Sequence, residues 1–65
     1  MDTFEFSRVV RNLHDGIEMP HQYAYAVSDD GLTETLVDET THTTYVRNVI
    51  SDRVCTMVDM NSMAR

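Results

Sequence analysis

An α+β domain is the fold class this chain predicts: an N-terminal helix packed on an antiparallel sheet of three or four strands. Three observations carry that expectation. Phe6, Val9, Val10 and Leu13 recur at the i, i+3, i+4, i+7 spacing of a helix with one buried stripe. "QYAYAVS" then alternates large and small residues with the period of a strand, and its aromatic and β-branched members suit a pleated surface. "DDG", residues 29–31, follows it as a hairpin signal. With 65 residues, the whole stretch 1–65 reads as one small domain.

The helix has recognisable ends. Asp2 is placed to cap its start, with Glu5 three residues on as the return half of a capping box. Gly16 is placed to end it in the left-handed conformation. Arg8, Arg11 and Asn12 fall off the apolar stripe, and Pro20 in "IEMPHQ" opposes any continuation. The first strand is read in "QYAYAVS", residues 22–28, where Tyr23, Tyr25 and Val27 alternate with Ala24 and Ala26. The expected hairpin loop is Asp29-Asp30-Gly31, a type I turn with Gly31 in a left-handed bulge position, and the second strand runs from Leu32 to Asp38. Segment 41–50 is ambiguous between a strand and a short helix. Tyr45, Val46, Val49 and Ile50 fit a helical stripe, but the density of threonine and valine favours a third strand near 42–50. "RVCTMVDM" reads as a last strand, with Met57 in its core, and Met57, Met60 and Met63 would form a stripe if the segment were helical.

The second strand poses the main functional question, because Glu34 sits between Leu32 and Leu36. A three-residue loop places Ser28 opposite Leu32, Ala26 opposite Glu34 and Ala24 opposite Leu36, whereas a two-residue loop of Asp29-Asp30 would place Tyr25 opposite Glu34 and His21 opposite Asp38. The three-residue loop is expected because it gives Gly31 a conformation glycine accepts cheaply. The tyrosines and valines then share the other side, which is the larger apolar area and the one the helix is expected to cover. On that reading Leu32, Glu34 and Leu36 face outward as a contact surface. The competing reading makes the leucines core and Glu34 an inward charge at a sheet edge, a known device against edge pairing. It requires an arginine partner from Arg8, Arg11 or Arg47, since an unpaired buried carboxylate costs several kcal/mol on the order given for buried ions.

Charge narrows the function classes. Eleven Asp/Glu against five Arg and no Lys leave a net charge of −6. Direct binding of nucleic acid, which depends on neutralising phosphates, is not expected, nor is docking on an anionic membrane. A larger protein with a basic surface is the expected partner. Asp29, Asp30, Glu34, Asp38 and Glu39 cluster in the hairpin, and with Leu32 and Leu36 they form the candidate partner-binding set. Same-side strand residues recur about every 6.8 Å, and each DNA strand carries a phosphate about every 3.4 Å. Asp30, Glu34 and Asp38 could therefore imitate a sparse row of phosphates, as a DNA mimic does.

No catalytic set, cofactor site or metal site is expected. His14, His21, His42 and Cys55 lack the spacing of a zinc site. There is no nucleophile elbow, and two glycines make no phosphate loop. Cys55 in an apolar strand is expected to behave as a small hydrophobe rather than a nucleophile. One thiol, no span of apolar residues and no secretory pattern in "MDTFEFSR" fit a reduced, cytoplasmic setting. The size and acidity, without a catalytic set, are similar to those of many small phage-encoded inhibitors and antitoxin-like proteins. The expected function is a non-catalytic acidic module that inhibits or regulates a larger protein, such as a nucleic-acid-binding one. The alternative is a self-associating assembly protein that buries its exposed sheet face in a homodimer.

Overall fold

The computed structural model describes residues 1–57. Helix α1 spans Thr3–Asp15, and four strands follow: β1 (Tyr23–Val27), β2 (Thr33–Asp38), β3 (Thr43–Asn48) and β4 (Arg53–Met57). They form one antiparallel sheet in the order β1-β2-β3-β4, a meander with α1 on one side. The α+β class and the N-terminal helix agree with the sequence, and the sheet has the fuller number of strands. Segment 41–50 contributes a strand, as its β-branched residues favour. The Met60 and Met63 part of the methionine stripe, and residues 58–60 of the expected last strand, lie outside the described residues.

The helix ends are the ones the sequence marks. The Asp2 carboxylate accepts the backbone N–H of Glu5 at 2.7 Å. Gly16 has φ 76°, and its N–H and that of Ile17 bond back to the carbonyls of Leu13 and Asn12. Phe6, Val9 and Val10 are buried, and Leu13 packs half-buried beside them.

The hairpin loop is one residue longer than expected. Ser28 pairs with Thr33 through its N–H on the Thr33 carbonyl at 2.9 Å, so Asp29, Asp30, Gly31 and Leu32 all lie in the loop. Gly31 is left-handed, at φ 73°, as the turn signal requires. Side chains set the extra length. The Asp30 carboxylate accepts from the Ser28 hydroxyl at 2.6 Å and from the Leu32 N–H at 3.0 Å, while Ser28 Oγ accepts the Thr33 N–H at 3.1 Å. Loop geometry fixes register in a hairpin, so one added residue exchanges the faces of β2.

Tyr25 therefore stands opposite Leu36, and Val27 opposite Glu34. The helix covers the tyrosine side, as expected, but Glu34, Leu36 and Asp38 share that side. Leu36 is fully buried, flanked in the sheet by Tyr25 and Tyr45, and forms the core with Phe6, Val9 and Val10. The outward leucine-glutamate-leucine surface does not exist in this fold. The competing reading holds in part: Glu34 points inward and finds Arg47, but β2 is a central strand, so Glu34 does not guard an edge. Leu32, in the loop, is exposed. The opposite side of the sheet carries Ala24, Val37, Thr44 and Met57 in one row and Ala26, Thr35, Val46 and Cys55 in the next. Met57 and Cys55 are thus exposed on the side away from the helix rather than in the core.

Candidate functional site

The two loops that close β1–β2 and β3–β4 lie at one end of the sheet, and the start of α1 joins them there. The β3–β4 turn, residues 49–52, is built by Asn48. Its side-chain oxygen accepts the N–H groups of Ile50 and Ser51, both at 3.0 Å, and Asp52 adopts a left-handed φ of 57°. The Val49 N–H bonds to the Leu32 carbonyl at 2.9 Å and so fastens the two loops side by side. The Thr3 hydroxyl donates to the Asp52 carbonyl at 2.8 Å and brings the helix start to the same end.

This loop end presents apolar side chains to solvent. Leu32 is 41% exposed, Val49 39% and Ile50 77%. Beside them the first loop carries Asp29 and Asp30, both exposed. Hydrogen bonds from the Ser28 hydroxyl, and then from the Leu32 N–H, hold the Asp30 carboxyl below its ordinary value, so it stays charged. Asp52 is engaged differently. One carboxylate oxygen accepts from Arg47 Nη2 at 2.7 Å and Nε at 3.1 Å, while another nitrogen of Arg47 donates to Glu34. Glu34 also accepts the Tyr25 hydroxyl. The resulting chain, Tyr25–Glu34–Arg47–Asp52, runs from the helix-covered side of the sheet to the loop end and sets the position of the β3–β4 turn. Arg47 is held above its ordinary value by its bond to Asp52 and then by Glu34.

The candidate partner-binding residues separate into three groups. Asp29, Asp30 and Leu32 lie together at the loop end. Glu34, Leu36 and Asp38 lie on the helix-covered side, and Asp38 is only 3% exposed. Glu39 is exposed in the turn at the far end of β2, a strand length away. The expected phosphate-like row of Asp30, Glu34 and Asp38 is therefore broken up: two of its three carboxylates are internal and paired. Asp38 accepts from His21 Nδ1 at 2.8 Å and from the Thr40 and Thr41 N–H groups at 3.0 and 3.3 Å. Burial alone would raise its carboxyl, but the bonds from His21 and from these amides outweigh burial and hold it below the ordinary value.

Sequence reasoning missed Val49 and Ile50 as surface residues. In sequence they read as parts of a strand or a helical stripe, because the turn around them contains no glycine. The available signal was an Asx residue four positions before a residue that tolerates the left-handed region. Asn48…Asp52 carries it, and Asp38…His42 repeats it, with His42 at φ 57°.

Among the described residues no pocket is present, no group of three or more His, Cys, Asp or Glu is close enough to hold a metal ion, and no helix is long and apolar enough to cross a membrane. Compared with protein-family models, curated proteins and solved structures, the chain matches none.

Proposed function

We propose that this chain is a non-catalytic binding module that regulates a larger protein by docking its loop end on a basic surface. The observation that carries the reading is the exposure of Leu32, Val49 and Ile50 as one apolar tip beside Asp29 and Asp30. An apolar centre with a charged rim is the anatomy of a protein interface. The acidic rim selects a basic partner and speeds its approach, and the apolar centre holds it once docked. A nucleic-acid-binding protein is one class that offers such a surface.

The reading is tested on a partner cross-linked and purified from the native host, with association followed across ionic strength. Ile50→Asp should raise the dissociation rate about tenfold or more, as for an apolar anchor removed from an interface. Asp29→Lys should slow association and flatten its salt dependence, as rim charges do. Both variants should melt like the parent, because Ile50 and Asp29 are exposed. A partner whose binding is indifferent to both substitutions would rule out the loop end as the docking surface.

A further inference from the structure

Among the described residues, the strand positions on the side of the sheet away from α1 carry no carboxylate. The described acids lie on α1, in the loops and turns, or on the helix-covered side, as Glu34 and Asp38 do. Across the open side run Ala24, Val37, Val46 and Met57, with Ala26 and Cys55 beside them, and Arg53 stands at the loop-end corner as its charged residue. The adjoining positions are threonine and asparagine.

Charge decides what such a surface can hold. A basic protein finds no carboxylate among the described strand residues there to pair with. Among the described residues a nucleic acid or an anionic membrane finds there a single arginine, Arg53, where binding needs several neutralised phosphates or a basic cluster. A neutral, mostly apolar and short-chained surface is complementary to another of its kind. Two copies of a chain of net charge −6 repel wherever their carboxylates meet, and this side is where they can approach without that cost. The short Ala, Thr, Val and Cys side chains allow two sheets to stack at the usual spacing of about 10 Å. There is also a thermodynamic motive. Among the described residues the buried apolar core is Phe6, Val9, Val10 and Leu36, a small one, and association is one of the common supports for domains of this size.

We infer that a second copy of this chain packs on this open side, sheet against sheet, in a two-fold dimer. The contact is small: a patch of four strands, about 4.8 Å apart and some five residues long, falls short of the roughly 800 Å² per partner of a standard interface, so the dimer is a weak, concentration-dependent one. The surface is separate from the loop end, so either proposal can fail alone.

The test uses the full chain, kept reduced, in sedimentation runs from about 1 to 500 μM, a range that brackets a micromolar dissociation constant. Iodoacetamide alkylation of Cys55, read by mass spectrometry, runs in parallel. A monomer–dimer equilibrium is expected, with Cys55 alkylation slowing severalfold as dimer forms. Ala26→Glu, an exposed substitution on the edge strand β1, should leave the chain folded by circular dichroism but monomeric throughout the range. Ile50→Asp, at the loop end, should dimerise like the parent. A monomer at the highest concentration overturns the inference. So does a dimer whose Cys55 reacts as fast as in the monomer and which survives Ala26→Glu, because its contact lies elsewhere. A Cys55 already shielded in dilute monomer overturns it too, because this side is then covered without a second copy.

Discussion

Glu34 shows how one residue's role depends on its neighbours rather than on its type. Its carboxylate is shared between the Tyr25 hydroxyl and Arg47, on the side of the sheet that α1 covers. Burial, then the bond to Glu34 and the Glu34 charge, push the Tyr25 hydroxyl from 10.0 up to about 12. Raised in the folded state, it contributes stability that is fully present below pH 10 and is lost as the pH climbs from 10 towards 12. Urea unfolding measured at stepped alkaline pH should show that loss. Tyr25→Phe, which has no hydroxyl to ionise, should show a shallower one; it will not be flat, because burial raises Tyr23 as well. Equal slopes for the two proteins would mean that Tyr25 is not held neutral by its site.

The three strand connections divide into two kinds of local element. The β1–β2 loop uses glycine for its left-handed residue, Gly31, whereas the β2–β3 and β3–β4 turns use His42 and Asp52. In both of the latter an Asx side chain, Asp38 or Asn48, accepts the second and third N–H groups along. Histidine and aspartate are among the residues that enter the left-handed region at tolerable cost, while a β-branched residue does not. His42 is exposed, which makes it a clean test. His42→Val should destabilise by about 1–2 kcal/mol, the usual left-handed penalty. His42→Gly should be neutral within about 1 kcal/mol, since relief of strain offsets the entropy glycine adds to the unfolded chain. Chemical denaturation of the two variants reads the difference directly, and equal stabilities would show that the turn does not depend on this conformation.

At the scale of the whole molecule, the helix covers one side of a sheet that has two. Stability is concentrated where Phe6, Val9 and Val10 meet Leu36. Leu36→Ala should therefore cost about 2–5 kcal/mol, from lost transfer energy and the cavity left behind. Against the 5–15 kcal/mol typical of a domain, and the lower part of that range for a short one, a large share of the stability goes with one side chain. A thermal melt should show a large fall in midpoint or no folded baseline. An unchanged midpoint would contradict the burial of Leu36. The same one-sidedness leaves open a sheet side whose described strand positions carry no acid, and gathers the exposed apolar residues Leu32, Val49 and Ile50 at the loop end, so the surfaces proposed for self-association and for partner binding are physically distinct.

The chain's own residues determined the class of fold, the helix with its Asp2 and Gly16 ends, the strand nature of Tyr23–Val27 and the acidic hairpin, because these follow from short-range periodicity, capping and turn chemistry. The side of the sheet on which Glu34, Leu36 and Asp38 stand was decided only by the tertiary structure. That outcome turns on a single residue of loop length, set by the hydrogen bonds joining Ser28, Asp30, Leu32 and Thr33. Strand periodicity is two, so a slip of one residue inverts every later position while leaving the pattern of alternation unchanged. Periodicity therefore says which residues of β2 share a side, and only packing against α1, Tyr25 and Tyr45 says which side is buried.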